Sequence, residues 1–100
     1  MPSEIRFTHS LKTNPEVFQL VVDDKKTFEL RRNDRGFECG DILVLRETVW
    51  TDEDMKNGRP VEYTGRQLRV VVSHILYGPK WGLDGNWVIM SIKKEIHYAQ

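Results

Sequence analysis

The densest cluster of side chains that could do chemistry lies in residues 9–34. Lys12 comes just before a predicted helix, and Thr27, Glu29 and Arg31 alternate along the outward face of the strand predicted after that helix. A lysine ammonium meets phosphate as a point charge, whereas an arginine guanidinium can hold it with two parallel hydrogen bonds. If the strands and the helix bring these groups together, the sequence predicts a site for an anionic ligand.

The same charges also have an ordinary explanation. Lys26, Glu29 and Arg31 would form a solvated strand face if their side chains point into water, with Phe28 and Leu30 on the opposite, inward face. Exposed ion pairs of this kind are common and weak. The charge pattern taken alone favours this explanation over a binding site.

Histidine and cysteine do not indicate a metal site. His9, His74, His97 and Cys39 lack the spacing of metal ligands, so we expect neither a metal nor a cofactor. His9 could line the same site as Lys12 or could only cap the first strand. Cys39 is the only cysteine, so it forms no internal disulfide, and it is expected to fill the core.

Three aromatic residues in the C-terminal half could stack on nucleic-acid bases: Tyr77, Trp81 and Trp87. Trp81 lies in a glycine-flanked loop and is the best stacking candidate of the three. Trp87 falls near the start of a predicted strand, and we expect it to lie in the core.

The helix that would position Lys12 has a clear start signal. Asn14 can accept hydrogen bonds from the free N–H groups at a helix start, and Pro15 suits the first helical position. Asp23 and Asp24 are expected to end the helix, and to serve the following turn or pair with a lysine, because acids at a helix C-terminus oppose its dipole. Between these limits, one apolar face forms at helical spacing from Val17, Phe18, Val21 and Val22.

Five strands are predicted around this helix, at residues 4–8, 27–31, 42–45, 68–77 and 86–92. In the fourth strand Val70, Val72 and Ile75 are expected to face inward. Residues 51–59 are expected to form an exposed loop, residues 63–65 a tight turn, and the polar tail from Lys93 to fray. Short strands separated by turn signals predict an α+β fold, namely a small barrel or strongly curled sheet of five to six mostly antiparallel strands with one principal helix.

The composition is that of one folded domain over residues 1–100, with a polar tail at about 94–100. The hydrophobic fraction is 39%, and 15 basic residues balance 15 acidic ones. A protein that coats nucleic acid without selectivity usually carries a basic excess, so any contact with nucleic acid must here be local. The chain starts without the apolar run of a signal peptide and has no run long enough to cross a bilayer, so a cytoplasmic location is expected.

The run from Asp24 to Arg31, followed by Gly40 and Asp41, resembles the signature of the ASCH group of PUA-like domains. That signature is a glycine, any residue, a lysine, two residues, a glutamate, any residue, an arginine and, later, glycine–aspartate. The chain departs from it at Asp24, where a glycine is expected. Further stretches resemble one ASCH-like subfamily of bacteria and phages, a domain of unknown function (DUF3850), so that the resemblance covers nearly the whole chain: His9–Lys12, Pro15, Phe18, Asn33–Arg35 and Tyr63–Arg66.

The resemblance implies a PUA-like barrel with a cleft beside the helix and a role in binding RNA or nucleotides. Lys26 would meet a phosphate, and Glu29 would accept hydrogen bonds from a base edge or position Lys26. Arg31 would clamp phosphate or hold Glu29, and we expect it to be structural, tied to Asp34 or Asp41. The candidate binding site then comprises His9, Lys12, Lys26, Thr27, Glu29, Arg31, Asn33, Asp34, Arg35 and Trp81.

One ASCH-like branch that resembles this chain is an acetylcytidine amidohydrolase, which uses a lysine, a threonine and a glutamate. Its lysine matches Lys26, but Glu29 occupies the position of its nucleophilic threonine, and a carboxylate cannot replace a hydroxyl nucleophile there. That activity is therefore not carried over. A nucleoside amidohydrolase or weak ribonuclease with Lys26 and Glu29 as catalytic acid–base partners is the alternative. A third possibility is a phage-type accessory protein that acts through protein contacts, for which an apolar patch around Trp50 or Trp81 would be evidence.

Overall fold

A computed structural model describes residues 6–95 of the protein, which contain five strands and two helices. In chain order these are β1 (Thr8–Thr13), α1 (Pro15–Val22), β2 (Phe28–Arg32), β3 (Ile42–Thr48), α2 (Asp52–Lys56), β4 (Tyr63–Tyr77) and β5 (Trp87–Lys94).

The five strands form one curled sheet in the order β1-β3-β4-β5-β2. The β1–β3 pair is parallel, and the other three pairs are antiparallel. The sheet is a half-barrel in which β1 and β2 lie at the two ends of the strand order. This confirms the predicted α+β fold with five mostly antiparallel strands and one principal helix.

Helix α1 connects the two end strands of the sheet. It begins as predicted, because the Asn14 side chain accepts the Glu16 N–H at 3.0 Å and Pro15 occupies the first helical position. Phe18 and Val21 are buried on its inner face, where they pack into the core of the half-barrel. The helix therefore covers the interior of the sheet, while its start lies directly after β1.

The core is built from side chains of neighbouring strands that alternate inward. In β4 the expected residues Val70, Val72 and Ile75 are all buried. The register of the β4–β5 pair shifts between Val72 and His74, and this irregularity turns Ile75 inward in place of His74. Each fully buried aliphatic side chain of this kind contributes about 1.5–3 kcal/mol relative to exposure.

Several element boundaries differ from those predicted. The first strand, β1, is six residues long and begins at Thr8, the last residue of the strand predicted at 4–8. Residues 4 and 5 of that predicted strand lie outside the described range. The predicted turn at 63–65 is wrong, because these residues begin β4, and Gly65 takes a φ of 95° there. β4 is paired with β3 from Tyr63 onward, with an irregularity between Arg46 and Thr48 that accommodates this early start.

The segment predicted as an exposed loop contains the short helix α2. A capping box starts it: the Thr51 hydroxyl accepts the Asp54 N–H at 3.1 Å, and the Asp54 carboxylate accepts the Thr51 N–H at 3.4 Å. Aspartate at this position does what glutamate usually does in the motif. The charged composition of the segment had suggested only solvent exposure.

Two further expectations are wrong. Cys39 is exposed and does not fill the core. Lys93 and Lys94, expected to fray, are paired with Val71 and Val70 of β4. The remainder of the predicted tail, residues 96–100, lies outside the described range. Within residues 6–95, neither helix has the length of apolar sequence that crossing a membrane requires.

Candidate functional site

A cleft of about 430 Å³ opens between the two end strands of the half-barrel, beside the start of α1. Cavities of this size are within the range that small-molecule ligands occupy. Strand β1 forms one wall and β2 the other, and the loop after β2 contributes to the rim. The lining residues are Leu11, Lys12, Thr13, Asn14, Val17, Lys26, Glu29, Leu30, Arg31, Arg32, Asp34, Arg35, Phe37, Asp52 and Trp87.

A buried carboxylate lies in the wall of this cleft. Glu29 is only 2% exposed, and its Oε1 accepts a hydrogen bond from Lys26 Nζ at 3.0 Å. Its Oε2 accepts one from Arg31 Nε at 2.9 Å. Lys26 Nζ also donates to the carbonyl oxygen of Phe28. An unpaired carboxylate at this depth would cost on the order of several kcal/mol, so the two cations are what allow Glu29 to remain there.

The orientation of β2 is the reverse of the one predicted. Glu29 points inward, whereas Phe28 and Leu30 are 45% and 48% exposed. Alternation along the strand is present as expected, but the apolar side chains lie on the outer face of the sheet. The convergence of Lys26, Glu29 and Arg31 on a concave surface rules out the solvated strand face for these three residues.

Two arginines join the walls of the cleft where no strand pairing does so. Arg31 Nη2 donates to the carbonyl oxygen of Lys12 at 3.0 Å, and Arg35 Nη1 donates to that of Ser10 at 2.6 Å. Every second residue of β1 points its backbone N–H and C=O groups away from β3, and Ser10 and Lys12 are two of these residues. Their carbonyl oxygens are therefore free to accept from the arginines. The expected ties of Arg31 to Asp34 or Asp41 are therefore wrong, although Arg31 does hold Glu29.

The cleft has a local basic excess that the whole chain lacks. Five basic and three acidic side chains line it, although the formal net charge of the protein is zero. Two of the acids already have basic partners: Glu29 as described, and Asp34, which lies 3.8 Å from Arg35. Within residues 6–95, no acidic side chain lies within ion-pair distance of Lys12 or Arg32. These two cations are the ones available to a ligand.

An aromatic side chain forms part of the cleft next to Arg32. The Arg32 guanidinium lies 4.9 Å from the centre of the Trp87 ring, across the β2–β5 pair in which these residues are direct partners. Trp87 is half-buried, so the expectation that it lies in the core is wrong. The sequence offered Trp87 as a base-stacking residue without linking it to this cleft, and it gave no sign of Arg32, Leu30 or Asp52, since only the strand register and the fold bring these residues to the cleft.

Six of the ten predicted site residues line the cleft, and four do not. Thr27 lines a separate cavity of about 260 Å³, near Lys93 and Lys94. Asn33 supports the loop after β2, because its side chain accepts the Phe37 N–H at 2.9 Å. Trp81 is 85% exposed in the loop between β4 and β5. His9 is engaged elsewhere. The six that line the cleft are Lys12, Lys26, Glu29, Arg31, Asp34 and Arg35.

His9 contacts a second buried carboxylate. Its Nε2 lies 2.8 Å from Oδ2 of Asp41, and its ring packs edge-on against Phe37 with centroids 4.8 Å apart. Asp41 is 2% exposed and also accepts the backbone N–H groups of Phe7 at 3.3 Å and Glu38 at 3.0 Å. This cluster fixes the turn that leads into β3. Gly40 lies in that turn and has a φ of 92°.

Tyr77 joins the cluster around Asp41. Its hydroxyl donates to the carbonyl oxygen of Phe37 at 3.2 Å. Burial raises the pKa of Tyr77 above its ordinary value, and the neighbouring Cys39, Glu38 and Asp41 raise it further. In the part of the chain that the structure describes, no group of three or more histidine, cysteine, aspartate or glutamate residues is arranged to hold a metal ion.

The turn before β2 explains the one departure from the signature. Asp24 has a φ of 58°, the left-handed region that glycine adopts most readily and that aspartate tolerates. Its carboxylate lies 3.1 Å from Lys94 Nζ, which also donates to the Val22 carbonyl oxygen at the end of α1. The charged turn residue thus pairs with a lysine, as expected, and the turn leads directly to Lys26.

Comparison with known proteins gives a family but no activity. A family model described as "Domain of unknown function (DUF3850)" matches residues 8–92. The chain is also similar to the "Uncharacterized 12.9 kDa protein in GpA 3'region" of Escherichia phage P2, with 41% identity over 54 residues. These residues are 54% of this chain, and the chain spans about half, 47%, of the length of that relative.

Proposed function

The chain belongs to the DUF3850 family, whose function is unknown, and we propose that its cleft binds nucleotides or RNA. One observation supports this most strongly: Lys12 and Arg32, which have no acidic partner among the described residues, face a concave surface beside a half-buried tryptophan. Nucleotides combine an anionic phosphate with a flat base, and this surface offers a partner for each.

The buried carboxylate gives the cleft a means of selecting a base. Ionised Glu29 has about four lone-pair sites, and Lys26 and Arg31 occupy only part of them. The remaining sites suit the amino or imino N–H groups on the edge of a base. In this proposal Arg31 is a positioning residue, because it holds Glu29 on one side and the Lys12 carbonyl on the other.

We further propose that the domain is of the ASCH type within the PUA-like superfamily. The backbone supports this: Asp24 and Gly40, at the two glycine positions of the signature, both have positive φ. The side chains support it as well, since Lys26, Glu29 and Arg31 of the signature contact one another at a cleft. We propose a cytoplasmic location as well, because RNA and nucleotides occur in the cytoplasm.

Lys12→Ala tests the binding proposal with little risk to the fold, since the Lys12 side chain is exposed. We expect the affinity for a labelled oligouridylate, measured by fluorescence anisotropy, to fall several-fold, and the salt dependence to become shallower by about 0.7 in log–log slope, one phosphate contact. Lys25→Ala removes the same charge from an exposed lysine that does not line the cleft, and it should leave both unchanged.

Equal effects of the two variants would contradict a site at Lys12. Absence of binding of any nucleotide or oligonucleotide to the wild-type protein would contradict the proposal as a whole. It would favour a role in protein contacts, for which the highly exposed Trp81 is the first residue to examine.

A catalytic role is the second candidate, and the 3.0 Å contact between Lys26 Nζ and Glu29 Oε1 at the cleft favours it. The two groups have the types and the separation of an acid–base pair. Against it, each Glu29 oxygen already binds a cation, so one ion pair must break before the carboxylate takes a proton from a substrate. Incubation with acylated cytidines and with RNA decides the matter: product that forms with the wild type and is lost in Glu29→Gln would establish catalysis.

A further inference from the structure

Two cation–aromatic pairs lie at the two ends of β2. Lys26 Nζ is 4.8 Å from the centre of the Phe28 ring, and the Arg32 guanidinium is 4.9 Å from the centre of the Trp87 ring. Both cations and Trp87 line the cleft, whereas Phe28 adjoins it through its contact with Lys26. Phe28 is 45% exposed and Trp87 half-buried, so a face or an edge of each ring is accessible to a ligand.

The two pairs lie on the outer face of the sheet, opposite Glu29, where Leu30, Arg32 and Trp87 form the rim of the cleft. Phe28, Leu30 and Arg32 alternate along β2, and Trp87 of β5 is the direct partner of Arg32 in the register. Arg32 lies four residue steps along the strand from Phe28, which corresponds to about 13 Å. Leu30 lies between them, is 48% exposed and lines the cleft, so the surface that joins the two pairs is apolar.

This spacing bears on the size of the ligand. One base can stack on one aromatic ring or on one guanidinium plane, and its own phosphate can meet one neighbouring cation. A mononucleotide placed at Arg32 and Trp87 leaves Phe28 and Lys26 without a base. A single strand that runs along β2 can place one base at each pair and direct the intervening phosphates toward Lys12 on the opposite wall.

We therefore infer that the ligand of the cleft is a single-stranded oligonucleotide that extends along β2, with bases at Phe28 and at the Arg32–Trp87 pair, and not a mononucleotide. This inference rests on the proposed function and adds the class of nucleic acid and its direction along the surface. The chemistry of stacking and phosphate contact is shared by RNA and single-stranded DNA, so both are included in the test.

The test measures affinity as a function of ligand length. Uridine monophosphate and uridylate di-, tetra- and hexanucleotides are titrated into the wild-type protein by calorimetry, with oligothymidylates of the same lengths alongside. We expect affinity to rise from the monophosphate to the tetranucleotide by at least about fivefold for each base added to a stacking position, and then to level off. A preference for either series identifies the sugar that the surface selects.

Substitutions test whether the gain in affinity with ligand length comes from contacts with β2. Phe28→Ala should reduce tetranucleotide affinity at least about fivefold while leaving monophosphate affinity unchanged. Arg32→Gln reports on the second pair without the core disturbance that replacing half-buried Trp87 would cause. The matched control is Tyr63→Ala, because Arg46 lies 3.7 Å from the centre of the Tyr63 ring in another cation–aromatic pair, and neither of its two residues lines the cleft.

The outcomes distinguish a failure of the inference from a failure of the proposed function. Equal affinity for monophosphate and tetranucleotide would overturn the oligonucleotide inference and leave nucleotide binding intact. A loss in Phe28→Ala and Arg32→Gln no greater than that in Tyr63→Ala would overturn the placement along β2. Absence of binding at every length would overturn the proposed function, and the inference with it.

Discussion

Glu29 and Asp41 are two carboxylates with the same burial and different surroundings. Each is 2% exposed. The partners of Glu29 are the side chains of Lys26 and Arg31, which line the cleft and are themselves partly exposed. The partners of Asp41 are one histidine and two backbone N–H groups, and Asp41 does not line the cleft.

The difference shows how to separate a structural acid from a candidate functional one. Backbone N–H groups fix the path of the chain, so Asp41 holds the turn before β3 in place. Side-chain cations at a cavity can exchange partners with a ligand, so Glu29 is placed where binding could use it. Burial alone does not distinguish the two, whereas the kind of partner and the adjoining space do.

The largest effect on stability is expected for Asp41→Asn. The amide keeps the shape but loses the charge and turns an N–H₂ group toward existing donors, so we expect a loss of about 2–3 kcal/mol in the free energy of unfolding, measured by urea denaturation. Ligand affinity at a temperature where the variant is folded should not change. Asp24→Asn is the control, because Asp24 is 75% exposed in its pair with Lys94 and should cost less than about 0.5 kcal/mol. A small and similar loss of unfolding free energy in both variants would contradict a structural role for Asp41.

Glu29→Gln should affect ligand binding more than it affects stability. Lys26 and Arg31 can turn toward water when the carboxylate is neutralised, since their side chains are 18% and 28% exposed, so we expect a smaller stability loss of about 1–2 kcal/mol. Discrimination among the four nucleotides should decline, because the acceptor for the base edge is lost. Calorimetric titration with each nucleotide measures this. Unaltered discrimination would mean that Glu29, like Asp41, only supports the fold.

The smallest effect concerns Tyr77 beside Asp41. Because its pKa in the folded protein is raised above the ordinary 10.0, the stability that protonated Tyr77 contributes is present in full below pH 10 and is lost as the pH rises through the folded-state pKa. Ultraviolet titration of the wild type against Tyr77→Phe isolates this tyrosine from the others. In Asp41→Asn its pKa should move down toward the ordinary value. A shift in Glu29→Gln of equal size would show that the two acids do not define separate regions.

The sequence predicted the elements well where a local signal acts alone. The Asn14–Pro15 helix start needs no tertiary contact, and the inward residues of β4 follow from strand alternation. The residues of the capping box, Thr51 and Asp54, are also local in sequence, but the charged composition around them favoured an exposed loop over a helix. Local chemistry therefore accounts for most of the helices and strands.

The sequence could not determine which face of β2 points inward. Alternation gives two faces, and hydrophobicity assigns Phe28 and Leu30 to the interior, but the fold places Glu29 there because Lys26 and Arg31 neutralise it. The contribution of Arg32 and Trp87 to the cleft depends on the β2–β5 register, which no local pattern contains. The sequence thus predicted six of the eight charged residues that line the cleft and missed Arg32 and Asp52. It offered Trp87 for base stacking but did not place it at the cleft.

The most direct test of the central claim is a two-dimensional ¹H–¹⁵N correlation spectrum of the protein during titration with a uridylate tetranucleotide. The account predicts that the largest changes fall on Lys12, Lys26, Glu29 and Arg32 and on the indole N–H of Trp87, whereas the His9–Asp41 region stays unchanged. Changes confined to the Trp81 loop or to α2, or a spectrum that does not respond to the ligand, would contradict it.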